Sequence, residues 1–231
     1  MEKSLVRIFG YIAALLIPAA ASAAGLADIS NRDAINGLKE ALTRGSQAAV
    51  ARLGVEDGFL KNDSVRIPLP PSLRSVEAVM RSIGMVPQAN ELVLRMNRAA
   101  EAAVPQARAL LVDAARKMSI QDAKGILSGG DDAATQYFKH TTSEPLAKQF
   151  QPIVKKAMRK VKLAEKYNEI AASGARFGLV KEEDAKLEDY VTRRALDGLF
   201  VVIAEEEKKI RKDPAGAASS IIRRVFGAIR N

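Results

Sequence analysis

The 231-residue chain carries 36 Lys and Arg against 27 Asp and Glu, a formal charge of +9, with one histidine and no cysteine. The missing cysteine excludes disulfides, lipid attachment at a cleavage-site cysteine and thiolate metal sites, and the single histidine excludes HExxH-type metal chemistry. The basic balance favours anionic partners, although a soluble basic surface accounts for the same number.

Lys3 and Arg7 form a short basic start, Ile8 to Ala21 carries no charge, and Ala21-Ser22-Ala23 has small residues where a signal peptidase cuts. This layout predicts a secretory signal peptide over residues 1–23, cleaved near Ala23, and an exported, periplasmic protein. The uncharged run is shorter than the ~20 residues of a spanning helix, so no stable transmembrane span is expected after cleavage; an uncleaved anchor is the alternative. Glu2, Lys3 and Arg7 leave one positive charge on the leader, so residues 24–231 carry +8. Behind such a leader, an envelope protein, anionic lipid or wall polymer is the expected partner, and nucleic acid is not.

Alanine-rich sequence with apolar residues three and four apart predicts helices. The first covers 31–53, with Ile35, Leu38, Leu42, Ala49 and Leu53 on one face, Ser30 or Asn31 as cap and Gly54 as stop. Residues 54–72 break the pattern. Asp57-Gly58 and Asn62-Asp63 are turn signals, Phe59-Leu60 and Val65-Arg66-Ile67 are candidates to pair as a small hairpin, and Pro68, Pro70 and Pro71 forbid helix. A connection this long is a lid, a binding loop or a partner-binding arm, or else a packed structural loop.

Leu73 to Ile83 reads as a short helix, and 88–104 as the next, with Leu92, Met96, Ala99 and Ala103 on one face. Pro105 predicts a kink or break before the helix resumes to Lys117. Ser119 and Asp122 have capping-box spacing for a short helix ended by Gly129-Gly130. Asp131 or Asp132 then caps a helix holding Tyr137 and Phe138, and 144–172 reads as a separate long helix with Leu146, Phe150, Ile153, Ala157, Val161 and Ala164 as its buried stripe. Lys181-Glu182-Glu183-Asp184 opens a helix that is apolar on most sides through Tyr190, Leu196, Leu199, Phe200 and Ile203, and therefore central. Asp213-Pro214 caps the last helix, which runs to about Ile229. The expected fold is all-α: one helical bundle over residues 24–231, of about seven or eight helices, with one long Pro-rich loop or small hairpin in the irregular arm at 54–72.

The sequence assigns no catalytic residue, metal ligand or cofactor. His140 lies near no marked nucleophile, and there is no GxSxG elbow. Ser128-Gly129-Gly130-Asp131-Asp132 reads as a turn and cap, because its carboxylates occupy the place that a bound anion would take. Asn97 and Glu101 share a helix face. Carboxylates around Glu101 and Asp122 either converge to hold a cation or run acid–base chemistry, or are neutralised, Glu101 by Arg98 or by an arginine across the bundle. Glu205 with Lys209 and Glu207 with Arg211 have the spacing of pairs on a solvated face. Two basic stripes remain: Lys155, Lys156, Arg159, Lys160, Lys162 and Lys166, and the terminal Arg223, Arg224 and Arg230. Such amphipathic helices lie on anionic surfaces or dock their apolar faces on their own core.

Several motifs in order carry a resemblance. They are Arg66-Ile67-Pro68-Leu69-Pro70, Asn97-Arg98-Ala99-Ala100-Glu101, Met118 with Asp122-Ala123, Ala133-Ala134-Thr135-Gln136-Tyr137-Phe138, Leu196-Asp197-Gly198-Leu199-Phe200, and Glu206 with Ile210-Arg211 and Asp213-Pro214. Together they resemble the bacterial domain of unknown function numbered 4197, from about Leu26 to Ile229. The resemblance implies an exported protein of Gram-negative-type bacteria and supplies no activity, substrate or cofactor. Its motif positions are polar for a helical core, so Asn97, Arg98, Glu101, Asp122, Thr135, Tyr137, Glu206 and Arg211 are expected to meet in one hydrogen-bonded network. The expected function is non-enzymatic: an envelope protein binding a partner or anionic surface through its basic helices and the 54–72 arm. A small enzyme or metal binder near Glu101 and Asp122, and an apolar-ligand carrier, are the alternatives.

Overall fold

The structure is a computed structural model that describes residues 31–71, 86–159, 161–176, 178, 181, 185–214 and 219–229. The leader, the helix expected at 73–83, Glu182 to Asp184, Lys160 and Arg230 lie outside the described residues. The chain is all-helical, and among the described residues there is no strand. In order the helices are α1 (Asn31–Leu53), α2 (Val86–Ala103), α3 (Ala107–Lys117), α4 (Ile120–Ser128), α5 (Ala133–Met158), α6 (Lys162–Arg176), α7 (Leu187–Lys212) and α8 (Ser220–Ile229).

Local chemistry sets most of these boundaries. Pro105 turns the chain through the 3-10 segment Val104–Gln106 between α2 and α3, as the missing amide hydrogen requires. The α4 capping box forms: the Ser119 hydroxyl accepts from the Asp122 amide at 3.1 Å, and the Asp122 carboxylate accepts from the Ser119 amide at 3.0 Å.

Three expected boundaries move. The helix of Tyr137 and the helix expected from 144 are one helix, α5, continuous through Pro145 and Pro152. Phe138, Thr142, Leu146, Phe150, Val154 and Met158 recur every four residues as one buried face, and that burial outweighs the ~3 kcal/mol cost of each internal proline. The helix then ends at Met158 instead of running to 172. The turn falls where Lys155 and Arg159 place like charges four apart, a spacing that weakens a helix. Finally, Asp213 is the C-cap of α7, its amide donating to the Lys209 carbonyl at 2.9 Å, and the last helix is described from Ser220.

α5 and α7 form the central antiparallel pair. Thr135 at the start of α5 meets Glu207 near the end of α7, and Gln151 meets Asp189 at the other end. α2 packs on both. α1 packs antiparallel to α3, with Lys39 donating to the Arg116 carbonyl and Gly54 against Pro105, and it also contacts α7 and α8. α8 buries Ile222, Val225 and Phe226, so the terminal helix docks its apolar face on its own core. The closest approach is at Gly37 of α1, where a Cβ would stand 2.7 Å from Val225.

The arm after α1 is the one long irregular segment. Its Phe59, Val65, Ile67 and Leu69 side chains are buried. Phe59 lies against Gly198 of α7, where a Cβ would stand 2.7 Å from the ring and 3.1 Å from Val65. Gly198→Ala would gain ~1 kcal/mol of helix propensity in isolation. Here the fully buried ring cannot yield, so urea denaturation should show a net loss of about 1–3 kcal/mol. A stabilised variant would mean that the arm gives way instead.

Candidate functional site

The arm is not a hairpin. Its backbone makes short turns, with the Lys61 amide donating to Asp57, and the Val65 and Arg66 amides to Asn62. The groups that a second strand would have paired go to side chains of α2. The Asn97 carboxamide accepts from the Ile67 amide at 2.9 Å and donates back to the Ile67 carbonyl at 3.0 Å, so it pairs with Ile67 as a neighbouring strand would. The same Nδ2 also donates to the Val93 carbonyl at 2.8 Å. One turn on, Glu101 Oε1 accepts from the consecutive amides of Phe59 and Leu60 at 3.0 and 3.2 Å. The Tyr190 hydroxyl of α7 donates to the Pro68 carbonyl at 3.1 Å.

Glu101 is buried and Asn97 fully so. A buried carboxylate needs a counter-charge. Arg98 supplies it at 2.6 Å and reaches on with its other nitrogen to Asp57 at 2.7 Å and Glu56 at 3.0 Å. The hydrogen bond to Glu101 leads the causes that raise the Arg98 guanidinium above its ordinary value. Asp57 sits in the left-handed region, φ 67°, which aspartate tolerates better than most residues. Hydrogen bonds from Lys61 first and Arg98 second hold its carboxyl below the usual carboxylate range.

The expected network is therefore three separate arrangements. Asn97, Arg98 and Glu101 tie down the arm. Thr135 and Arg211 belong to a second cluster, 134–135 with 207–211, built on Glu207, which the sequence reading had placed on a solvated face. Glu207 is 7% exposed. Its Oε1 accepts from the Ala134 amide and its Oε2 from the Thr135 amide and hydroxyl, at 2.8–3.0 Å. Arg211 neutralises it at 2.9 Å and donates to the Ile126 carbonyl at 2.9 Å. Glu207 thus caps α5 from across the bundle, and the N-cap residue Asp132 makes no side-chain cap bond. Glu206, the neighbour named from the motif, stands outside, paired with Lys209 at 2.6 Å, while Glu205 pairs with Arg52.

Asp122 and Tyr137 form the third arrangement. The hydrogen bonds of Ser119 hold Asp122 below its usual range. Tyr137 donates to the Ala114 carbonyl at 2.9 Å, and burial, with the Asp122 charge second, raises its phenol.

Both buried carboxylates are consumed by backbone amides and an arginine. Among the described residues no group of three His, Asp or Glu side chains converges on a metal-sized site. The enclosed space between α1, α5, α7 and α8 amounts to about 20 Å³, room for one water molecule.

The basic stripes lie apart. Lys155, Lys156 and Arg159 are exposed at the end of α5, with no carboxylate ion-paired to them among the described residues. Lys166 on α6 is exposed and pairs with Glu169 at 3.2 Å; the side chain of Lys162 lies outside the described residues. Arg223 and Arg224 are exposed on α8, whose Phe226 lies under Arg211. Twenty residues of helix separate Thr135, beside Arg211, from Lys155, a rise of about 30 Å.

Two measurements test this wiring. Asn97→Ala strands a buried amide and carbonyl at Ile67 and should cost about 2–4 kcal/mol with faster amide exchange at Ile67. Asn97→Asp should not rescue it, because a carboxylate cannot donate to the Ile67 and Val93 carbonyls. A lowered folded-state value means that Asp57 stabilises the fold above the ordinary carboxylate range, a contribution lost as pH falls through the folded value. Melting temperature should therefore fall on acidification below about pH 4, less steeply in Asp57→Asn, which keeps a side chain suited to the left-handed backbone. Identical pH profiles for both proteins would rule out that role.

Comparison with known proteins adds a family. No curated protein and no solved structure gives a match to this chain. A family model does, over residues 28–227, which takes in the arm, both buried carboxylates and seven of the eight described helices in full. The chain belongs to the family described as protein of unknown function, DUF4197.

Proposed function

We propose that this chain is a non-catalytic protein of the bacterial cell envelope that attaches to an anionic envelope surface through the basic end of α5. The leader-like residues 1–23 and the +8 charge of the remainder support the setting. The observation that carries the reading is the cluster Lys155, Lys156 and Arg159, exposed and without carboxylate partners among the described residues. The end of a helix already favours cations, so part of the cluster serves α5 itself.

The packing fixes the kind of attachment. Val154 and Met158 of α5, and Val161 and Ala164 beyond the turn, are buried in the protein. No apolar face is left there to enter a bilayer, so attachment is peripheral and electrostatic, worth about 1 kcal/mol per basic residue at the surface. The arm contributes little, because its apolar side chains face the core. The enzyme reading has lost its support in Glu101 and Asp122, and a 20 Å³ space does not accommodate an acyl chain.

Co-sedimentation with phosphatidylglycerol vesicles, and with phosphatidylcholine vesicles as the neutral control, tests this. Binding should need the anionic lipid and fade as salt rises. Lys155→Gln, Lys156→Gln and Arg159→Gln together should weaken it by roughly 100-fold at low salt. Equal binding to neutral vesicles, or a triple variant that binds like the parent, would end the proposal.

A further inference from the structure

The outer face of the α5–α7 pair carries a groove of about 510 Å³, within the size range of small-ligand sites. Its floor includes Ala147 of α5 and Leu196 of α7. Thr192 also lines it, only 6% exposed, and the Thr192 hydroxyl has no hydrogen-bond partner. A buried hydroxyl without a partner costs stability, and a helical threonine normally avoids this by bonding a carbonyl one turn back. Three side chains of α5 just before Pro145 do so: Thr141 to the Tyr137 carbonyl, Thr142 to Phe138 and Ser143 to Lys139. Thr192 departs from that habit at the one place where the groove passes over it.

The charges of the lining select the occupant. Glu144 pairs with Lys148 at 2.6 Å, the Asp189 carboxylate accepts from Gln151 at 2.8 Å, and Arg193 lies over the Tyr190 ring. Two acids and two bases leave the groove neutral, and each is engaged. A charged ligand would be desolvated there without a free counter-charge. No aromatic side chain lines the floor to stack on a sugar ring. The remaining needs are one neutral hydrogen-bonding group over Thr192 and one apolar group over Ala147 and Leu196.

We infer that this groove binds a short uncharged segment of extended peptide, one backbone amide meeting the Thr192 hydroxyl and one aliphatic side chain lying between Ala147 and Leu196. The site is independent of the basic end of α5: its residues, ligand chemistry and salt dependence all differ.

The test titrates the full chain with the capped peptide acetyl-Ala-Leu-Ala-amide and follows methyl resonances by NMR. The Ala147, Thr192 and Leu196 methyls should shift together and saturate, with little dependence on salt. Replacing the central leucine of the peptide by aspartate or lysine should weaken binding at least about fivefold. Thr192→Val should weaken it about five- to tenfold while leaving the melting temperature unchanged or higher, because it removes an unsatisfied hydroxyl. Ala147→Phe should fill the groove and abolish the shifts. No saturable shift at these methyls up to about 10 mM peptide, tighter binding of a charged peptide, or a Thr192→Val protein that melts lower and binds equally would overturn the inference. Loss of vesicle binding in the Lys155, Lys156 and Arg159 variant would leave it standing.

Discussion

The arm between α1 and α2 has no ladder of its own, and that constraint governs much of the interior. Backbone amides and carbonyls buried with Phe59 and Ile67 must be satisfied by something. α2 does this with two side chains one turn apart, Asn97 for Ile67 and Glu101 for Phe59 and Leu60. Only then can Phe59 and Val65 close over Gly198, the step that joins α2 to α7 through the arm. Arg98 keeps the buried carboxylate ionised and so able to accept from two amides at once.

The same device appears at the other end of the core. Glu207 accepts from the consecutive amides of Ala134 and Thr135, as Glu101 accepts from Phe59 and Leu60. Each is neutralised by an arginine of its own helix, three residues before in one case and four after in the other. Each arginine then extends the tie to a further segment: Arg98 to Asp57, and Arg211 to the Ile126 carbonyl. Burying a carboxylate is expensive, and these two remain because irregular backbone and an uncapped helix start present orphan amides that apolar side chains cannot satisfy.

That division explains what was legible in the sequence. Local rules found the Pro105 break and the Ser119–Asp122 box, because both depend on neighbours in the chain. The alternation of Val65, Ile67 and Leu69 correctly marked extended chain with one buried side. It could not say that the pairing partner is the Asn97 carboxamide and not a second strand, since both satisfy the same two groups. Glu207 and Arg211 have the spacing of any solvent-facing pair, and only the arrival of the α5 N-terminus buries them. Glu206 sits four residues after buried Val202 as Glu207 sits four after buried Ile203, so periodicity alone does not separate the two. The continuity of α5 through Pro145 depends likewise on α7 and α2 covering its face.

A polar interior consumed by structural ties leaves recognition to the surface, and the outer side of α5 is where the surface features gather. Gln151, at one end of the groove, stands one turn before Lys155, about 6 Å along the axis. Its amide is held by Asp189 at the start of α7, so the groove ends where the helix pair meets the basic turn. An anionic surface against Lys155, Lys156 and Arg159 would thus leave the groove running away from that surface along α5 and α7, open to a peptide approaching from the aqueous side. Rigidity favours this division of labour: both features stand on the two longest helices, and the α5 start that anchors their relative register is fixed by Glu207.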